Sequence, residues 1–188
     1  MDFGGADGVN IEGSAGKGSN LNIYNSNLTI SAWINTSAIE DHQTIAARYK
    51  ILTGAYRLGI DPAGRIHLNT YLQGSGHWDL FGDSVLETDT WYHIVGILDR
   101  GTGKGKVYVN GVEDAEGALG PNPLSNDAIT RIGCRQNASD CPFNGVIDDV
   151  RIYNRALSGS EVSELYAIPE PATLALLALG GLILRKKR

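Results

Sequence analysis

Apolar and polar residues alternate along this chain in runs of five to nine residues, and turn formers cut every run. Period two puts successive side chains on opposite faces of a strand. In Asn27–Asn35 it gathers Leu28, Ile30, Ala32 and Ile34 on one face and Thr29, Ser31 and Trp33 on the other. Tyr56–Ile60 and Arg65–Tyr71 flank the turn-forming Asp61-Pro-Ala-Gly64. Trp91–Asp99 reads as a long strand, and Lys106–Val112 bends at Asn110-Gly111, a strong hairpin signal. Ile129–Gly133 and Gly145–Tyr153 add two more strands. The 24 glycines follow no repeat, so they mark tight turns, not a collagen-like array. One helix signal closes the series: Ser158-Gly-Ser-Glu161 is a capping box, with Val162, Leu165 and Tyr166 following at helical spacing. Eight or more short strands and one terminal helix predict an all-β, antiparallel two-sheet sandwich over residues 1–167.

Residues 168–188 are of another kind. Pro169 and Pro171 stop any incoming helix, Ala172–Leu184 is almost wholly apolar or small, and Arg185–Arg188 is basic. A helix over the apolar run is about 20 Å long, short of a roughly 30 Å hydrocarbon core. The basic end points to the cytoplasm, which puts the folded domain on the far side of the membrane. The order Pro169-Glu170-Pro171, short hydrophobic helix, basic cluster resembles the PEP-CTERM sorting signal of Gram-negative bacteria. That resemblance implies export, transient anchoring in the inner membrane, and processing by an exosortase-type enzyme on the way to the cell surface or extracellular matrix. No signal peptide precedes Asp2, so the expectation is an incomplete N-terminus.

Leu28–Ile34, Thr90–Val95, Val107–Val112 and Phe143–Ser158 together resemble the laminin-G-like jelly roll of the concanavalin A-like superfamily, and the opening Met1–Asp7 is similar to its first strand. The resemblance covers nearly all of residues 1–167. It implies a jelly-roll sandwich and a mixed range of functions: sugar binding, adhesion, or accessory modules on enzymes.

The chain carries a net charge of −5 and no basic stripe, which argues against nucleic acid as a partner. Cys134 and Cys141 bracket a polar loop and suit a disulfide in an oxidising compartment, with two unpaired thiols as the alternative. Strict alternation in the last strand puts Asp148 in a row with Val146, Val150 and Ile152. An acid in that row needs a partner. The similarity of Asp148–Tyr153 to the last strand of laminarinase-type hydrolases implies a structural calcium on Asp148, with the Asp2–Gly5 segment beside it. A salt bridge to Arg131 or Arg151, or backbone hydrogen bonds, is the alternative.

Gln73–Asp79 joins a Gly-rich stretch to His77 and Trp78, with His67 and Tyr71 on the preceding strand. Aromatic faces beside polar groups suit sugars, so His67, Tyr71, His77 and Trp78 are the candidate rim of a ligand cleft. A surface loop with a partly buried Trp78 is the alternative. The Glu-x-Asp-x-x-Glu string of the superfamily's retaining hydrolases is absent. The expected function is a surface-anchored, non-catalytic module for carbohydrate or extracellular polysaccharide. An adhesive matrix protein with a protein partner is second, and an unusual glycosidase or lyase third.

Overall fold

A computed structural model describes residues 1–4, 8–15, 19–23, 26–50, 55–72, 76–120 and 127–167. The proposed tail helix and Pro169, Glu170 and Pro171 lie outside them. Among the described residues no helix is long and apolar enough to cross a membrane.

Twelve strands and one helix make up this part: β1 Asp2–Gly4, β2 Val9–Asn10, β3 Leu28–Thr36, β4 Gln43–Arg48, β5 Tyr56–Ile60, β6 Arg65–Leu72, β7 Gly76–Val85, β8 Trp91–Asp99, β9 Lys104–Val109, β10 Val112–Ala118, β11 Thr130–Ile132, β12 Asn144–Tyr153 and α1 Gly159–Tyr166. They form two six-stranded antiparallel sheets. Sheet I runs β1-β12-β3-β8-β9-β10 and sheet II runs β2-β11-β4-β5-β6-β7. This is the expected all-β sandwich with a short C-terminal helix.

The alternation read from β3 holds: Leu28, Ile30, Ala32 and Ile34 face sheet II, where they meet Leu58, Ile60, Ile66 and Leu68. The sheets approach closely at Gly96 in β8. A Cβ there would lie 2.9 Å from Leu58 Cδ1 and 3.1 Å from Leu68 Cδ1. Asn110 and Gly111 both take positive φ and turn β9 into β10, as the Asn-Gly pair predicts.

Sheet I is covered on its outer side as well. Val95 and Ile97 of β8 and Tyr108 of β9 pack there against Leu157 and Val162. Burial on both faces explains why β8 reads as a nearly continuous apolar run. Helix α1 lies on this face. Ser158 Oγ accepts the Glu161 amide, and the Glu161 carboxylate returns to the Ser158 amide at 2.8 Å. The Tyr166 ring sits 5.7 Å from Trp33 and 6.1 Å from His93. His93 is 2% exposed. Its Nε2 pairs with Ser31 Oγ at 2.9 Å, while its Nδ1 has no hydrogen-bond partner among the described residues. Burial pulls its pKa down to about 4, with Asp149 working against the shift and Arg151 with it.

Candidate functional site

Among the described residues no helix caps the outer side of sheet II, and a cleft of about 340 Å³ opens on it. Its floor follows from register. Antiparallel pairing sets Tyr71 opposite His77, Asn69 opposite Asp79, and His67 opposite Phe81. Directly paired residues share a face, so three side chains from β6 and three from β7 form two facing rows. Arg57 on β5 lies beside Asn69 and extends the floor. His42, Arg135 and Cys141 line the cleft from the segment before β4 and the connection between β11 and β12.

A chain of polar contacts runs through this floor. Arg57, 2% exposed, donates to Thr44 Oγ1 at 3.0 Å, to the Gln43 carbonyl at 2.8 Å and to His67 Nδ1 at 3.1 Å. Its guanidinium passes over Gly59, where a Cβ would come within 2.8 Å of it. His67 Nε2 donates to Asp79 Oδ1 at 2.7 Å, and His77 Nε2 lies 3.1 Å from Asp79 Oδ2. Burial pulls the His67 pKa down to about 4, against the pull of Asp79 and with the push of Arg57. His67 is therefore neutral near pH 7, its Nδ1 lone pair facing Arg57 and its Nε2 proton facing Asp79. Phe81 stacks on the His67 ring at 4.3 Å.

At the other end, Arg135 grips Asp140 with Nε at 3.0 Å and Nη2 at 2.7 Å, and its Nη1 donates to the Tyr71 hydroxyl at 3.3 Å. Tyr49 meets Tyr71 edge-on at 4.7 Å and lies under the Arg135 guanidinium. Two buried polar atoms at the cleft, Asn69 Oδ1 and His42 Nδ1, have no hydrogen-bond partner among the described residues.

Of the four residues expected at a ligand rim, His67, Tyr71 and His77 line this cleft. Trp78 does not: one residue along β7 it faces inward and packs against the core. Its indole Nε1 donates to the Ala118 carbonyl at 2.7 Å, and its ring fills the space over Gly105 and Gly120. The stretch expected as a loop is strand from Gly76 onward; residues 73–75 lie outside the described residues. Arg57, Asn69, Asp79 and Phe81 were missed, although Asn69 follows from alternation between His67 and Tyr71. Arg135 and Cys141 carry no such local signal, because they reach the cleft from far along the chain.

The expected disulfide is absent: Cys134 and Cys141 are free thiols. Their side chains serve different surroundings. Cys134 is buried against Gly8, where a Cβ would meet its Sγ at 2.2 Å, while Cys141 faces the cleft. The loop between them is closed instead by Arg135 and Asp140, through the ion pair and a backbone bond of 2.9 Å. Burial raises the pKa of both thiols.

Asp148 and Asp2 lie on the opposite side of the sandwich. The strict alternation expected in β12 breaks at a bulge between Asp148 and Arg151, where Asp149 has φ +46°. Ile147 faces the core, so Asp148 faces outward, and the bulge then returns Val150 and Ile152 to the core side. Asp148 is thus not in a buried apolar row. Its Oδ1 accepts the Asp149 amide at 2.8 Å, and Asp149, not Asp148, pairs with Arg151 at 2.8 Å. Asp2, paired with Val146, points to the same outer face. Calcium takes about six to eight oxygens. These two acids fall well short of that, and among the described residues no group of three or more His, Cys, Asp or Glu can hold a metal. The two acids alone do not complete a calcium shell, and Gly5 of the Asp2–Gly5 segment lies outside the described residues.

Comparison with known proteins adds to this geometry. Residues 3–163 match the family Laminin_G_3, described as the concanavalin A-like lectin/glucanases superfamily, and residues 167–188 match the PEP-CTERM protein-sorting motif. Among solved structures, the CBM40 of the Ruminococcus gnavus IT-sialidase bound to α2,3-sialyllactose is 16% identical, with a TM-score of 0.73 over 89% of this chain and 96% of that one. Domain 4 of an extracellular arabinanase from Geobacillus stearothermophilus, in complex with arabinotriose, is 28% identical, with a TM-score of 0.61 over 76% of this chain and 67% of that one. A putative carbohydrate-binding protein from Bacteroides ovatus is 22% identical, with a TM-score of 0.59 over 84% of this chain and 43% of that one.

Proposed function

The chain belongs to the concanavalin A-like lectin/glucanases superfamily and ends in a PEP-CTERM sorting motif, and from that premise we propose that it is an exported, surface-sorted module that binds glycan in the cleft on sheet II. The PEP-CTERM motif implies export and exosortase-mediated sorting. The observation that carries the reading is the cleft itself: about 340 Å³, with polar groups from β6 and β7 in two facing rows and the Tyr71 and Phe81 rings at their ends. That volume is at the small end of the roughly 300–1,000 Å³ usual for ligand pockets and suits one or two sugar units. Structural neighbours captured with saccharides, or described as a putative carbohydrate-binding protein, support the same reading.

Binding is favoured over hydrolysis because glycosidases need two carboxylates with controlled separation. Asp79 is the one acid among the described lining residues, and nearby Asp140 is held by Arg135. The test is a glycan array probed with the full chain in detergent. We expect binding to a defined saccharide class that Tyr71→Ala weakens at least tenfold. Absence of binding across the array would favour an adhesive matrix protein instead, and release of reducing ends from a bound polysaccharide would favour a glycosidase.

A further inference from the structure

The charged groups at the cleft are not equally available to a ligand. Two arginines lie at it, yet the fork of each is already engaged. Arg57 is buried beneath the floor, with its donors directed at Thr44, the Gln43 carbonyl and His67. Arg135 holds Asp140 through Nε and Nη2 and gives Nη1 to Tyr71. Arginine recognises the carboxylate of an acidic sugar best through a free planar fork, and neither offers one.

The charge presented at the centre of the cleft is instead the Asp79 carboxylate. Both of its oxygens meet imidazoles, His67 on Oδ1 and His77 on Oδ2. His67 stays neutral near pH 7 because it is buried. Directly across the strand pair from Asp79 stands Asn69, 2% exposed, with a side-chain carbonyl oxygen that has no hydrogen-bond partner among the described residues. A buried polar atom without a partner is costly unless something hydrogen-bonds it. An ionised carboxylate is a pure acceptor and an amide both accepts and donates. Adjacent sugar hydroxyls, which donate and accept in turn, match that pair. A uronate or sialate carboxylate would face Asp79 as a like charge in a partly desolvated cleft.

We propose that the Asn69–Asp79 pair reads neighbouring hydroxyls of an uncharged sugar unit, and that the cleft discriminates against acidic sugars. The proposal rests on the glycan-binding reading and adds the ligand's charge class to it.

The experiment compares immobilised neutral oligosaccharides with counterparts carrying glucuronic or sialic acid, probed with the full chain at pH 7.5. Neutral members should bind at least tenfold tighter than acidic ones, with little change between about 50 and 500 mM salt, since exposed charge–charge contacts are screened at high salt. Asp79→Asn, of the same shape, should weaken neutral binding at least tenfold and narrow the gap to the acidic set. Equal or tighter binding of the acidic counterparts overturns the charge selectivity while leaving glycan binding in place. No binding to either set overturns both. The wild-type comparison stands even if the variant fails to fold. If Asp79→Asn melts like wild type and binds neutral sugars unchanged, Asp79 is not a ligand group.

Discussion

Two buried histidines held neutral, one on the outer face of each sheet, should make this domain sensitive to mild acid. His67 lies between Arg57 and Asp79 on sheet II, with His42 and His77 nearby. His93 lies between Trp33 and Tyr166 on sheet I, facing Asp149 and Arg151. Burial lowers both from an ordinary value near 6.5 to about 4. The sign follows from proton counting: between those values the unfolded chain binds protons that the folded one refuses, so stability falls as pH drops from about 6.5 towards 4. Above that window neither state is protonated and the penalty vanishes. From pH 7.5 to pH 5 each site costs about 2 kcal/mol, and the two together about 4 kcal/mol. That is a large share of a domain stability of about 5–15 kcal/mol. With a urea slope of about 2 kcal/mol per molar, the unfolding midpoint should drop by about 2 M. Urea titrations at the two pH values measure this, and His93→Gln and His67→Gln should each remove about half of the difference. A midpoint unchanged between pH 7.5 and 5, or imidazole NMR signals that titrate near 6.5 in the folded protein, would refute the reasoning.

Trp78→Ala should cost about 3 kcal/mol, read as a lower urea midpoint, because it empties core-packed volume and leaves the Ala118 carbonyl without its donor. Glycan affinity at temperatures where that variant is folded should stay within about threefold of wild type. Thiol titration under denaturing, non-reducing conditions should find two thiols; the native protein should react first at Cys141, and bound glycan should slow that reaction. A calcium ion at the Asp2–Asp148 edge would have to complete its shell from main-chain oxygens and water. On that donor set we expect no rise in melting temperature with millimolar calcium, and a rise lost in Asp148→Asn would establish the ion there.

The sandwich was legible because its main strands alternate cleanly and its corners carry Asn110-Gly111, Asp61–Gly64 and the Ser158–Glu161 capping box. Alternation failed where one residue changes the count. Asp149 at positive φ inserts a bulge, so Asp148 falls on the opposite face from the one a strict period of two assigns. The candidate cleft was half legible. His67, Tyr71 and His77 stand on one strand pair, so local reading reached them. Trp78 was misplaced because its Gly-rich approach suggested a loop, whereas β7 continues to Val85 and points the ring inward. Arg135 joins Tyr71 across 64 residues of sequence, and no local pattern announces such a contact. The cysteine pair misled for a related reason: spacing sets loop length but not the direction of the side chains.

Helix α1, capped by Ala167, lies on the outer face of sheet I, and the cleft opens on the outer face of sheet II. The last described residue therefore stands on the side of the sandwich opposite the cleft, with both sheets between. The sorting motif, which begins at residue 167, thus follows directly from the face that does not carry the cleft, so what handles that motif and what fills the cleft start from opposite sides of the sandwich.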